Sequence, residues 1–311
     1  MEFTESQVIA ELAQVFAQTD KRVLVGIGDD AAVLAPSSQN SVITTDMAVE
    51  GVHFRQEWSS SYEIGRKITA ANLADLYAMG ASPRHLVVSV CLSGKESMQW
   101  IIQLAQGMRD EAQKCNASIV GGDIVRGPVV TISMTAVGEV DAPILRSGAK
   151  VGDAVYLSSL PGWSAAGLHL LSNAINISAL TSNMEVERAL NQFRAPDVGY
   201  ADSLAFSEAH SMCDISDGLT EQGRQIAQAS GVKLELDSTL IQNSDEFALL
   251  SKLAKEVSAD VWDWIGAGGE DHVFLATGVN LPGLRIGSVL EGEGINFVGL
   301  AKFPKSFTHF S

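Results

Sequence analysis

A turn-rich stretch near the middle of the chain limits what it can fold into. Asp141, Pro143, the run Ser147-Gly148-Ala149-Lys150 and Gly152-Asp153 all fall between positions 141 and 153. On either side, strand-like and helix-like apolar periodicities alternate. At 311 residues the chain also exceeds the usual span of one hydrophobic core. Two domains are therefore expected, over residues 1–140 and 149–311.

Local signals fill in each half. Thr4 and Gln7 have capping-box spacing, and Ile9, Leu12, Val15 and Phe16 then share one helical face. Short strands are expected over 22–25 and 41–45, a helix over 62–79 ending near Gly80, a strand over 86–92, a helix over 96–115 and a strand over 129–140. Beyond the boundary come a strand at 154–157, helices near 165–175, 185–193 and 218–229, and strands near 232–236, 273–276 and 284–289. Such alternation makes the first half an α/β or α+β layer structure.

Composition excludes several classes of function. Hydrophobic residues are 46% and charged residues 19% of the chain, which suits a globular protein. No apolar run approaches the roughly 20 residues of a membrane helix, and the acidic start MEFTESQ lacks a signal-peptide basic region. Cys91, Cys115 and Cys213 are unpaired by spacing, as expected of free thiols in the cytoplasm. A formal net charge of −16 argues against nucleic acid or an anionic membrane as partner. The same acidity suits phosphate chemistry only if divalent cations stand between carboxylates and phosphates.

The segment Gly26-Ile27-Gly28-Asp29-Asp30-Ala31 imitates a dinucleotide fingerprint, but Pro36 prevents the long helix such a site needs. No Walker-type phosphate loop occurs anywhere. Gly26–Ala31 reads equally well as a carboxylate loop presenting Asp30 to a cation or as a hairpin with solvated acids. Further acids recur near strand ends and in turns: Thr44-Thr45-Asp46, the glycine-rich turn Gly121-Gly122-Asp123, Asp214-Ile215-Ser216-Asp217-Gly218, and Gly268-Gly269-Glu270-Asp271. Asp75, on one helical face with Asn72, sits among Ala71, Leu73, Ala74 and Leu76, where a carboxylate needs a cation or donors. An exposed helix acid at Asp75 and a helix-capping role for Asp217 remain open alternatives. Hydrolase elbows, zinc-ligand spacings and EF-hand loops are absent from the sequence.

Seven stretches together carry a resemblance: GIGDDAAVL (26–34), TTDMAVEGVHF (44–54), AANLADLYAMGASP (70–83), GGDIVRGP (121–128), RSGAKVGD (146–153), CDISDGL (213–219) and GGED (268–271). In this order they resemble the thiamine-monophosphate kinase family, within the superfamily of aminoimidazole ribonucleotide synthetase and selenophosphate synthetase. The resemblance implies phosphorylation of thiamine monophosphate by ATP, with several Mg²⁺ ions and no acid/base or nucleophilic residue. It implies a two-domain fold in which an N-terminal mixed sheet with helices binds metal and ATP and forms a homodimer, while a C-terminal α/β domain closes the active site.

Carried over by motif, Asp30, Thr44, Thr45, Asp46, Asp75, Asp123, Asp214 and Asp217 are the expected magnesium ligands. Gly122, Asp123, Arg146 and Ser216 are the expected ATP contacts, and His53, Glu270 and Phe307 the expected acceptor contacts. After GGED the family commonly has an aromatic and an acid, where this chain has His272 and Val273; near the C-terminus Phe307 replaces the usual Trp or Tyr. Alternatives are another superfamily enzyme, such as aminoimidazole ribonucleotide synthetase, and a non-catalytic Mg-nucleotide scaffold.

Overall fold

Apolar alternation builds two units in the computed structural model, which describes residues 4–17, 20–27 and 31–300. One unit comprises Met1–Tyr77 with Ala81–Ala142, the other Ala78–Gly80 with Pro143–Ser311.

In the first unit, helix α1 (Glu5–Val15) opens on the expected capping box: Gln7 N–H donates to Thr4 Oγ1, and Thr4 N–H donates to Gln7 Oε1. A short antiparallel pair follows, β1 (Val23–Val25) with β2 (Val33–Leu34). The unit's main sheet contains β3 (Asn40–Val49), β4 (Ser82–Leu92), β5 (Ser118–Arg126) and β6 (Thr131–Val140), in the order β3-β6-β4-β5. Only β4 and β5 run parallel, and α3 (Met98–Lys114) connects them, as a parallel crossover requires. Helix α2 (Ser61–Ala78) joins β3 to β4 and lays Leu76 against Gly138 of β6.

The period-two pattern of these strands sorts the two sheet faces. Leu86, Val88, Val90, Ile132, Met134 and Ala136 are buried. The opposite face leaves Ile43 67%, Met47 56% and Val87 40% exposed.

The expected glycine turn at 121–123 is instead strand, because β5 runs straight through Gly121-Gly122-Asp123 in register with Val87-Val88-Ser89. Ladder pairing overrides the turn preference of the glycines. A Cβ on Gly122 would stand 2.1 Å from the Val88 carbonyl oxygen, so close approach of the neighbouring strand explains that glycine.

The second unit holds a six-stranded sheet in the order β12-β9-β11-β7-β10-β8. Its strands are β7 (Ala154–Leu157), β8 (Ser211–Asp214), β9 (Lys233–Asp237), β10 (Phe274–Gly278), β11 (Leu284–Leu290) and β12 (Gly294–Val298). Helices α4 (Trp163–Ser172), α5 (Asn183–Arg194), α6 (Tyr200–Ala205), α7 (Leu219–Ser230), α8 (Ser238–Gln242), α9 (Asp245–Glu256) and α10 (Val261–Ala267) accompany it. Leu157, Leu170, Leu219, Ile226, Leu250 and Leu275 help form its core. No helix among the described residues is long and apolar enough to cross a membrane.

Candidate active site

In the first unit, β3 and α2 bring two of the expected ligands together. Thr44 Oγ1 donates to Asp75 Oδ2 at 2.5 Å. Asp46, two residues along the strand, lies on the same strand face as Thr44. Thr45 points the other way: its hydroxyl donates to the Met134 carbonyl and accepts from Thr135 Oγ1, both at 3.0 Å. Asp123 is exposed and in register with Ser89, on the face bearing Val87. One oxygen of its carboxylate accepts from the Ile124 N–H at 2.9 Å.

Asn72 lies one turn before Asp75 and is fully buried. Its Nδ2 donates to the Ile68 carbonyl at 2.9 Å, while its Oδ1 has no hydrogen-bond partner among the described residues. A buried acceptor without a donor is costly, and a cation or its bound water would relieve it.

His53 follows β3 in a tight turn. The Val49 N–H donates to His53 Nδ1 at 3.1 Å, which places the proton of the neutral ring on Nε2. That nitrogen is a suitable donor for an anionic oxygen.

The second unit gathers its expected residues where β8 ends. Asp214, the last residue of β8, pairs with Phe274 of β10 and is 1% exposed. Residues 215–218 then lead into α7. Asp217 does not occupy the N-cap of that helix: Gly218 does, without a side-chain cap, so the capping alternative fails. The turn at 214–218 is held backbone to backbone against the turn at 268–272. Glu270 N–H donates to the Ser216 carbonyl at 2.8 Å, and His272 N–H to the Ile215 carbonyl at 3.0 Å. Gln222 Nε2 donates to Ser216 Oγ at 3.1 Å.

Arg146 belongs to a short helical turn packed against β8 and α7. Burial and the neighbouring Asp214 charge push the pKa of the Cys213 thiol up to about 12, against the lowering influence of Arg146. Cys213 is therefore a protonated, unreactive thiol.

Sequence reasoning missed Asp271, Gln222 and His272. Asp271 is buried and caps α4, accepting from Gly162 N–H at 2.7 Å and Ser164 N–H at 2.9 Å. Its position beside Glu270 in GGED was the available signal, although the motif alone does not say which acid turns inward. Burial raises the Asp271 pKa to about 6, against the lowering effect of the two backbone donors.

An acid whose folded pKa lies above its unfolded value binds more protons folded than unfolded between the two. Its contribution to stability therefore falls as pH rises from about 4 to about 6. The difference in thermal midpoint between Asp271→Asn and wild type should shift in favour of the variant over that window. A difference that stays constant with pH would show that Asp271 does not titrate there.

Asp30 and Phe307 lie outside the described residues. Among those described, no three His, Cys, Asp or Glu side chains form a metal-holding group. Magnesium needs fewer protein ligands, because it keeps several waters and takes phosphate oxygens. The hard oxygen donors Thr44, Asp46 and Asp75, with the orphaned Asn72 Oδ1 nearby, fit such an ion in kind.

Comparison with known proteins identifies the family. Residues 28–140 match the AIR synthase related protein N-terminal domain, and residues 150–262 its C-terminal domain. The chain is 38% identical to thiamine-monophosphate kinase of Mycobacterium tuberculosis (strain ATCC 25618 / H37Rv), covering 93% of this chain and 88% of that one. The solved thiamine-monophosphate kinase of Stenotrophomonas maltophilia K279a superposes with a TM-score of 0.81 at 30% identity, covering 96% of each chain. A structure of AaThiL complexed with AMPPCP and TMP superposes with a TM-score of 0.80 at 28% identity, covering 98% of this chain and 97% of that one. Its fold, its paired glycine–acid turns and these matches make the chain a member of the thiamine-monophosphate kinase family.

Proposed function

We propose that this chain transfers the γ-phosphoryl group of ATP to the phosphate of thiamine monophosphate, releasing ADP and thiamine diphosphate. The observation that carries the reading is the oxygen-only set of Thr44, Asp46 and Asp75, built by β3 and α2 in a chain with a formal net charge of −16. An acidic protein without a lysine-bearing phosphate loop has to meet phosphate through cations. Mg²⁺, when bound, would neutralise the phosphates and the charge that develops on the leaving ADP.

The residues assigned to the metal are Asp30, Thr44, Thr45, Asp46, Asp75 and Asp123 of the first unit and Asp214 and Asp217 of the second. For Thr45, whose hydroxyl is committed to Met134, the main-chain oxygen is the better donor. Gly122, Asp123, Arg146 and Ser216 are assigned to ATP, and His53, Glu270 and Phe307 to the acceptor. His53, whose Nδ1 accepts from the Val49 N–H so that Nε2 carries the ring proton, presents a donor type that suits the acceptor phosphate. That phosphate is ionised at neutral pH and needs no general base, so the chain's task is to position two anions in line for direct transfer. A reducing compartment, the cytoplasm, suits its three free thiols.

An acceptor panel tests the assignment. With Mg²⁺ and ATP, ADP release should follow thiamine monophosphate and stay at background with the formylglycinamidine ribonucleotide substrate of an aminoimidazole ribonucleotide synthetase. Release with that ribonucleotide alone would favour the other superfamily enzyme. Tight nucleotide binding without release under any acceptor would favour the scaffold reading.

The open face of the four-stranded sheet supports the homodimer. Ile43 and Met47 stand exposed along β3 at one edge of that face, which a second copy would cover while leaving Asp123, on β5 at the opposite edge, open to ligand. Met47→Lys should convert the dimer to monomer in light scattering while the far-ultraviolet dichroism stays native. A variant that remains dimeric at micromolar concentration would remove this face from the interface.

A further inference from the structure

His272 stands where the family commonly has an aromatic, and its surroundings give it a definite task. Its Nδ1 lies 2.9 Å from Asp214 Oδ2, and the side chains are 7% and 2% exposed. An ionised carboxylate only accepts, so Nδ1 carries the proton of this hydrogen bond. The backbone of His272 is left-handed, with φ +54°, and Glu270 shares that conformation at φ +63°. Two non-glycine residues so placed need outside support. The buried Asp271 carboxylate on the α4 N-terminus supplies it, together with Gln192 Nε2 donating to the Asp271 carbonyl at 3.0 Å and the two backbone bonds to residues 215 and 216.

We propose that His272 is a positioning residue for Asp214: it holds one carboxylate oxygen and thereby sets the direction in which Asp214 meets a divalent cation. The β8–β10 ladder fixes the main chain of Asp214, but not its side-chain rotation. The imidazole supplies the missing constraint. A ligand carboxylate held in this way loses little rotational freedom on binding metal, and such partners change metal affinity by about 10–100-fold. The inference rests on the reading of Asp214 as a magnesium ligand.

The test uses the full-length chain with a non-hydrolysable ATP analogue and Mn²⁺ as a paramagnetic probe. His272→Gly removes the donor and tolerates φ +54°; His272→Asn keeps a donor near the Nδ1 position in a residue that accepts left-handed backbone. The glycine variant should bind Mn²⁺ about 10–100-fold more weakly, and the asparagine variant should recover most of the loss. Equal weakening in both variants would assign His272 to packing and overturn the proposal. Wild-type affinity in the glycine variant, with weak binding in Asp214→Asn, would also overturn it while leaving Asp214 as a ligand. Wild-type affinity in Asp214→Asn would remove the underlying reading itself. If the glycine variant does not fold, ¹⁵N-histidine spectra of the unmodified protein decide. The His272 Nδ1–H resonance should move when Mg²⁺ and the analogue bind, and a fixed resonance would count against the proposal.

Discussion

Asp75→Asn is expected to lower kcat by about 10²–10³-fold, the scale on which one fixed electrostatic partner of a transition state is felt. The substitution keeps the side-chain volume and leaves an oxygen for the Thr44 hydroxyl, whose bond to Asp75 Oδ2 ties β3 to α2. Only the negative charge is lost. Thermal stability should therefore stay close to wild type, while the Mg²⁺ concentration needed for half-maximal rate rises. Steady-state rates across an Mg²⁺ series, with calorimetry as the control, make the measurement. Unchanged turnover at limiting Mg²⁺ would show that Asp75 holds no essential ion.

Gly269→Ala should disturb the second unit strongly. A Cβ at Gly269 would lie 2.2 Å from the Ser216 carbonyl oxygen, a backbone atom that accepts the Glu270 N–H. Neither turn can yield without breaking that bond, so a cost of about 1–3 kcal/mol is expected from overpacking alone. In a domain of this size each kcal/mol moves the thermal midpoint by about 2–4 °C. Activity should fall further than stability, because the same displacement moves Ser216, Glu270 and His272 together. Gly121→Ala is the comparison: its Cβ would meet Val87 Cγ1 at 3.7 Å, an ordinary contact, and stability should change by less than about 0.5 kcal/mol. A Gly269→Ala enzyme with wild-type melting and kinetics would show that the two turns are not rigidly joined.

The elements that the sequence marked well are those where local and tertiary preferences agree. Helix α2 runs to a stop at Gly80, β6 alternates without interruption, and Thr4 with Gln7 forms the box its spacing announces. Helices α9 and α10 escaped notice, although Ser244 caps the first through the Phe247 N–H and Asp260 the second through the Trp262 N–H. At 7 residues α10 gives periodicity little room to assert itself, whereas α9, with 12 residues like α5 and α7, was legible in principle. The glycines of β5 misled for another reason. Glycine signals a turn locally, yet here it admits a neighbouring strand, and that neighbour is distant in sequence.

The candidate site divides along the same line. Asp75 stood out as a charge among apolar residues, and its contact with Thr44 follows from α2 crossing β3. The opposite faces taken by Thr44 and Thr45 follow from strand alternation, so the separation of their hydroxyls was legible in principle. The partnership of His272 with Asp214 was not, because 58 positions separate them and only the pairing of β8 with β10 brings them together. The inward turn of Asp271 likewise depends on where α4 begins.

The chemistry is tested most directly by following the phosphorus atoms. The enzyme, ATP and thiamine monophosphate are mixed with Mg²⁺ and, separately, with the metal chelated, and the products are identified by ³¹P resonance. The expected result is one ADP and one thiamine diphosphate for each ATP consumed, with no product once the metal is removed. ADP and inorganic phosphate beside unaltered thiamine monophosphate, or diphosphate formed at full rate under chelation, would contradict transfer through a carboxylate-held metal.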